Sequence, residues 1–274
     1  MIEERPVVSV LMGVYYQRES IGLLHRAVDS VLMQSFANFE FLICDGGSSK
    51  EARSFLDQIA KKDSRVHLIR DKALPTDLAS KLNACLRYAK GDFIARMDDD
   101  DISYPGRFEQ QVRYLNSHPD IAFVGCNVVL QTERTKVGCR MLPEYPQVKD
   151  FYFTQPFIHP TLMFRREALF VVKGYSESKY QVLCEDYDLL LRLYTNGYYG
   201  ANLQGNLFEY TVPISASGNR KMKHRWNETV TRWCRFKELQ LLPKALPYVI
   251  KPLAVGLIPS CLLKRIKENS QCQI

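Results

Sequence analysis

Residues 91–103 read GDFIARMDDDDIS: four aspartates in a row, Asp98 to Asp101, follow directly on a strand-like segment. Adjacent carboxylates repel one another, and each one left unpaired in a partly buried place is costly. A divalent cation relieves that cost, and hard oxygen ligands suit Mg2+ or Mn2+. The run stands where a strand ends, and open α/β sheets bind ligands outside the carboxyl ends of their strands. A cation at a strand end points to a phosphate-bearing substrate. Ser103 and Pro105 have the composition of a helix start, where acidic residues favour the helix dipole. Capping accounts for one or two aspartates, not for four.

Working outward, the first third of the chain alternates strand and helix. Residues 7–15 (VVSVLMGVY) read as a buried strand. Ser20 is placed to cap a helix with the apolar face Ile21, Leu24, Val28, Val31 and Leu32. FEFLICD, residues 39–45, is the next strand and ends in the turn GGSS. A helix over 51–60, a strand over 66–71, a helix carrying Leu78, Leu82 and Leu86, and a strand over 92–97 follow. This βαβαβαβ order predicts an α/β fold with a mostly parallel central sheet and right-handed crossovers. Downstream, a helix is expected over 106–117, strands over 121–130, 137–142 and 161–165, and a helix over 185–196. YYGANL and FEYTV read as two further strands.

The 274 residues carry a net charge of +7, with 46% hydrophobic and 24% charged residues, ordinary for a soluble globular protein. The charge is uneven. From position 219 onward there are 12 Lys and Arg against 3 Asp and Glu, and the other 25 basic and 27 acidic residues nearly balance. In this tail Trp226 and Trp233 lie seven apart on one helical face, interleaved with Arg225, Arg232, Arg235 and Lys237. The following LPKALPYVIKPLAVGLIPSCLLKRIK is apolar with basic ends, but its prolines, glycine and Lys251 make a poor transmembrane helix. The expectation is a segment lying in a membrane interface; the rival is a helical lid packed on the domain itself. No recognition motif accompanies the basic charge, which argues against nucleic acid. MIEERP is charged and leads straight into a strand, so no signal peptide is expected. The eight cysteines show no CxxC and no paired spacing, which predicts reduced thiols and no zinc site.

Three stretches carry a resemblance: residues 6–49 (PVVSVLMGVYYQRESIGLLHRAVDSVLMQSFANFEFLICDGGSS), residues 89–125 around the aspartate run, and IHPTLMFRREAL with EDYDLLLRL further on. Together they resemble the family-2 glycosyltransferases of the GT-A fold, over roughly residues 6–210. The resemblance implies a glycosyltransferase domain over 1–218, with a nucleotide-binding half to about 130 and an acceptor half to 218, and a tail over 219–274. It implies that Val14 and Tyr15 contact the uridine and that Asp45 accepts the uracil N3–H. An Asx-turn cap is the alternative for Asp45. Arg70 either flanks the base or makes an exposed salt bridge. Asp98 and Asp100 form the family's DXD pair, the first near the ribose and the last on the metal bridging the diphosphate, with Asp99 an additional carboxylate beside the nucleotide. Asp101 caps the next helix or holds the turn. Glu185-Asp186 matches the family's catalytic ED pair. Asp186 shares a helical face with Leu189, Leu190 and Leu193 and is the expected base, with Glu185 the runner-up. His159 either meets acceptor or diphosphate or is a core histidine. Three departures stand out: Gly13 where the family has Pro, Tyr16 where it has Asn, and Asp77 where a glycine usually opens the helix.

The function implied is transfer of a single sugar from a nucleotide sugar, UDP-linked by expectation, to a hydroxyl of a glycan or lipid-linked acceptor. Inversion, a Mn2+ or Mg2+ cofactor, cell-surface polysaccharide assembly, and a peripheral position on the inner face of the cytoplasmic membrane complete the expectation. The processive members' Q-x-x-R-W lacks its glutamine here, because Met222 precedes Lys223-His224-Arg225-Trp226. The rivals are an inactive GT-A-like scaffold and a sugar nucleotidyltransferase. The latter needs a Gly-rich basic loop after strand one, which GVYYQRES lacks. No GxGxxG follows strand one, which sets aside a Rossmann dehydrogenase.

Overall fold

The computed structural model describes residues 5–70, 77–132, 135–212 and 221–258. Among them nine strands form one sheet: β1 (Val8–Val14), β2 (Phe39–Asp45), β3 (Val66–Ile69), β4 (Phe93–Arg96), β5 (Ile102–Ser103), β6 (Ile121–Gln131), β7 (Lys136–Arg140), β8 (Met163–Arg165) and β9 (Tyr199–Thr211). The α-helices are α1 (Gly22–Leu32), α2 (Lys50–Lys62), α3 (Leu78–Tyr88), α4 (Arg107–Ser117), α5 (Arg166–Val171), α6 (Glu185–Thr195), α7 (Met222–Glu238) and α8 (Leu246–Gly256).

The strand order is β3-β2-β1-β4-β8-β6-β9-β5, with β7 on β6. The first four strands pair in parallel, as the alternation of strand and helix predicts. β8 then enters antiparallel between β4 and β6, and β6 and β9 return to parallel pairing. β1 is buried on both faces. Val8, Val10, Met12 and Val14 join one apolar cluster with α1 and α2, and Leu11 joins the other with α3, α5 and α6. A strand covered on both sides reads as an unbroken apolar run.

Local chemistry explains the helix starts. Ser49 caps α2 by accepting the Ala52 amide at 3.3 Å. Asp77 caps α3 by accepting the Ser80 amide at 3.0 Å, which accounts for an aspartate where the family has glycine. Ser20 is not the cap of α1; that helix starts one residue later, and the Ser20 hydroxyl accepts the Gly22 amide at 3.3 Å. α4 starts after Gly106 with no side-chain cap, so none of the four aspartates serves as one. The two strands expected over 198–212 are a single strand, β9. Leu203 pairs with Cys126 and Asn206 with Asn127, so Gln204 and Gly205 bulge outward.

The described part of the tail packs on the domain. Asn227, Thr231, Arg232 and Phe236 of α7 and Val249 and Pro252 of α8 are buried. Asp188 of α6, with no exposed side chain, joins Arg192 at 2.7 Å and Arg235 at 2.8 Å. Arg232 turns inward as well, donating to the Tyr152 carbonyl at 2.7 Å and lying over the Tyr187 ring. Arg232 and Arg235, two of the four basic residues interleaved with the tryptophans, therefore serve the interior, as in the rival reading of a tail packed on the domain. Trp226 and Trp233 face outward, 53% and 48% exposed. Among the described residues no helix is long and apolar enough to cross a membrane, and Cys44, Cys85, Cys126, Cys139, Cys184 and Cys234 are free thiols. Cys261 and Cys272 lie outside the described residues.

Removing Asp188 takes the shared buried counter-charge from Arg192 and Arg235, leaving Arg192 on the Val172 and Gly174 carbonyls and Arg235 on Glu238. Asp188→Ala is expected to lower unfolding free energy by about 3–5 kcal/mol. Urea denaturation measures it, and a loss below about 1 kcal/mol would show that α7 is held without this pair of ion pairs.

Candidate active site

The aspartate run leaves the end of β4 and divides its labour. Beneath it lies Arg96, fully buried within an apolar strand, donating to the Met97 carbonyl and to Asp98 Oδ1. Arg18 approaches from the β1 side and binds Asp100 Oδ2 at 2.7 Å. Asp101 is buried; its Oδ1 accepts the Thr211 amide at 2.7 Å, and among the described residues its Oδ2 has no hydrogen-bond partner. It holds the turn against β9, the second of the two roles expected of it. Burial, reinforced by Asp100 and Asp98, pushes the Asp99 carboxyl up to about 7. Burial and Asp98 raise Asp100 against the opposing Arg18 charge. The carboxylates remain short of positive charge despite two arginines, which is the condition that favours a cation.

Among the described residues no three His, Cys, Asp or Glu side chains converge to hold a metal ion. Mg2+-type sites need fewer protein ligands, because they keep water and take substrate phosphates beside one or two carboxylates. The run fits that form, with Asp98 and Asp100 as the carboxylates.

At the edge of the run, β1 and β2 finish side by side, Val14 against Asp45. Val14 is buried and Tyr15 is 54% exposed. Asp45 turns inward with no exposed side chain. Its Oδ1 accepts the Gly47 and Ser48 amides at 3.1 and 2.8 Å, and its Oδ2 accepts Arg70 at 3.0 Å and Arg53 at 3.3 Å. Burial raises its carboxyl, but the Ser48 and Gly47 donors and Arg70 outweigh that and hold it below the usual range. Asp45 thus organises an Asx turn and anchors Arg70, which also reaches Asp57 at 2.6 Å. Tyr16 is buried; its amide donates to Ser48 Oγ and its hydroxyl to the Ser20 carbonyl, so its ring belongs to the interior.

A cavity of about 690 Å3 joins the end of the run to the second half of the chain. Asp98, His159, Glu185, Asp186 and Tyr210 line it, together with Arg225, Arg232 and Lys251 of the tail. Glu185 and Asp186 open α6, where the helix dipole favours negative charge. Asp186 Oδ2 accepts Gln155 Nε2 at 3.1 Å and Oδ1 accepts the Tyr187 amide at 2.7 Å. Burial and the adjacent Asp186 charge push the Glu185 carboxyl up to about 7. His159 is buried, meets the Tyr175 hydroxyl at 2.9 Å, and is held neutral by burial and by Arg96. Thus Asp98, Glu185, Asp186 and His159 share one cavity, while Val14, Tyr15, Asp45 and Arg70 gather at the β1–β2 end. Arg18, Arg96 and Gln155 were missed by sequence reading. Arg96 left a signal, a cation inside a short apolar strand; Arg18 and Gln155 left none, because each acts across more than 30 residues of chain.

A parallel first half of the sheet, an acidic strand end and a carboxylate pair across one cavity are the frame of a GT-A glycosyltransferase. The chain belongs to Glycosyl transferase family 2, whose model matches residues 9–171. It is 33% identical to the Bacillus subtilis (strain 168) protein EpsE over 265 residues, 96% of this chain and 94% of that one. It is 30% identical to the amylovoran biosynthesis glycosyltransferase AmsE of Erwinia amylovora, over 80% of each chain. Among solved structures, S. aureus TarS residues 1–349 in complex with UDP-GlcNAc superposes with a TM-score of 0.69 at 15% identity, covering 89% of this chain and 72% of that one. The mannosyltransferase PcManGT of Pyrobaculum calidifontis, in complex with GDP-Man and Mn2+, superposes with a TM-score of 0.62 at 17% identity, covering 97% and 81%.

The raised Asp99 carboxyl has a sign that can be tested. The folded protein holds a proton that the unfolded chain loses near pH 4, so stability falls as pH rises from about 4 to about 7 and then levels. With divalent ions chelated, Asp99→Asn is expected to be more stable than wild type by about 2–4 kcal/mol at pH 8, and nearly equal to it at pH 4. Chemical denaturation at both values decides it; equal stability at pH 8 would mean Asp99 ionises normally.

Proposed function

We propose that the chain transfers one sugar, with inversion, from a UDP-sugar to a hydroxyl of a glycan or lipid-linked acceptor in cell-surface polysaccharide assembly. The observation that carries this reading is the single cavity holding Asp98 beside Glu185 and Asp186. The nucleotide lies along the β1–β2 end, flanked by Val14, Tyr15 and Arg70, with Asp45 fixing Arg70 and the turn. Its diphosphate stands over Asp98 and Asp100, which would hold Mn2+ or Mg2+ with Asp99 alongside. The ion, when bound, neutralises charge developing on the departing diphosphate. The nucleotide sugar and Mn2+ bound by the two structural neighbours support the donor and metal, and the polysaccharide role of AmsE supports the process.

Asp186 is the base. Gln155 and the Tyr187 amide orient its carboxylate toward the cavity they share. It takes the proton from the acceptor hydroxyl as that oxygen attacks the anomeric carbon. Glu185, with its carboxyl near 7, carries a proton part of the time at neutral pH and so softens repulsion against Asp186. Asp186→Asn is expected to lower kcat by about 10^2–10^4 while UDP binding in Mn2+ stays within about twofold. Retention of more than a tenth of the wild-type kcat would remove Asp186 from this role.

The tail acts at the membrane surface. Met222, Trp226 and Trp233 stand on one face of α7, and Leu246, Ile250 and Leu257 follow a similar stripe along α8 and just past it, all of them exposed. Aromatic and apolar side chains beside Lys221, Lys223 and Lys244 fit an anionic interface. Because α8 also lines the cavity, truncating at Leu242 would damage the acceptor site as well, and point substitution is the cleaner test. A Trp226→Ser, Trp233→Ser double variant is expected to lose most binding to anionic vesicles in sedimentation and to keep its thermal midpoint within a few degrees. Unchanged pelleting would sink the membrane assignment.

A further inference from the structure

We propose that Lys81 selects the donor nucleotide: its ammonium group donates to the keto oxygen of the nucleobase. The inference rests on the donor-nucleotide reading above and adds a residue which that reading does not use. Lys81 lies in α3 and is only 4% exposed. Its side chain runs between the carboxyl ends of β1 and β2. A Cβ at Gly13 would come within 3.1 Å of Lys81 Cβ, and one at Gly46 within 3.0 Å of Cε and 3.2 Å of Nζ. Both glycines therefore make room for this lysine, and Gly13 stands where the family has proline. The family departure at Gly13 and the buried lysine are one packing solution.

The ammonium has more donors than partners. It carries three N–H bonds. Among the described residues its hydrogen-bond acceptor is the Val14 carbonyl at 3.3 Å, and the Tyr15 ring centroid lies 5.4 Å away. Asp99, Asp77 and Asp45 act on it electrostatically, Asp99 most strongly, but among the described residues none of them accepts a hydrogen bond from it, and the Gly47 and Ser48 amides, Arg53 and Arg70 already occupy both Asp45 oxygens. Leaving a buried cation so poorly paired is costly, which is the signature of a group awaiting a ligand acceptor.

Position decides which part of the ligand it meets. β1 lies between β2 and β4 in the sheet, and the aspartate run leaves β4. A nucleoside diphosphate with its phosphates over the run extends its base across β1 toward β2, about one strand spacing of 4.8 Å further. Val14, Tyr15 and Gly46, the neighbours of the ammonium, all belong to that end. The cations ion-paired with the run are Arg18 and Arg96, whereas Lys81 feels Asp99 electrostatically and places its hydrogen bond on the Val14 carbonyl. A donor at the base end is satisfied by uracil O4 or guanine O6. The exocyclic amines of cytosine and adenine oppose it donor to donor and leave it unpaired.

Calorimetry on the full chain in Mn2+ with UDP, CDP, GDP and ADP tests this. Wild type is expected to bind a keto nucleotide about tenfold or more tightly than its amino counterpart, UDP over CDP or GDP over ADP, and the pair showing the preference identifies the base. Lys81→Met is expected to weaken the keto nucleotide about tenfold and leave the amino one nearly unchanged, so that the preference collapses. Gly46→Ala, which displaces the ammonium without removing it, is expected to shrink the preference too and serves if Lys81→Met folds poorly. Equal weakening of keto and amino nucleotides, or an unaltered ratio in both variants, overturns the role of Lys81 alone. A wild type that binds none of the four removes the donor-nucleotide reading itself, and this inference with it.

Discussion

A buried guanidinium under a row of carboxylates is the interaction on which the site depends. Arg96 sits inside an apolar strand, where an unpaired cation would be prohibitive. The run that follows supplies its counter-charge through Asp98, and Arg18 supplies a second cation at Asp100. Burial makes Asp99 and Asp100 harder to ionise than ordinary aspartates, and the negative charge left by two arginines against four aspartates adds to it. Asp101 ties this loop to Thr211 at the far end of β9. The acidic strand end is thus fixed from beneath, from the β1 side and from the second half of the sheet. A site held on three sides can present carboxylates at a defined spacing without collapsing into internal salt bridges.

A second ion-pair centre performs the corresponding task for the tail. Asp188 faces the interior from α6 and gathers Arg192 from its own helix and Arg235 from α7. This orientation carries α7 and α8 against the cavity, so Arg232 and Lys251 become part of its wall. The same docking fixes which face of the tail is left for solvent or lipid. Trp226 and Trp233 are outward because Asn227, Thr231 and Phe236 are inward on a helix of fixed period. The outward tryptophan face and the cavity wall are two sides of one structure.

Much was legible along the chain. Periodicity placed β1 to β4 and α1 to α4 to within a few residues, because each is stabilised largely by local geometry and an apolar face, but not the two-residue β5, which exists only through its pairing with β9. The repulsion within Asp98–Asp101 was also readable, since adjacent side chains need no tertiary contact to be close. Local reading failed where distant residues set the outcome. Ser20 resembles a cap, yet the tertiary fit starts α1 one residue later. YYGANL and FEYTV resemble two strands, yet β6 pairs with both across a bulge.

By itself the sequence determined the alternating α/β order, the acidic strand end and the carboxylate pair at the start of α6, since these are properties of neighbours along the chain. Only the tertiary structure decided that Asp45 turns inward, that Lys81 fills the room left by Gly13 and Gly46, and that Arg232 and Arg235 face the interior. Each of those outcomes is a choice of partner for a buried charge. The choice depends on which distant groups packing brings within a few ångströms, a distance that sequence separation does not encode.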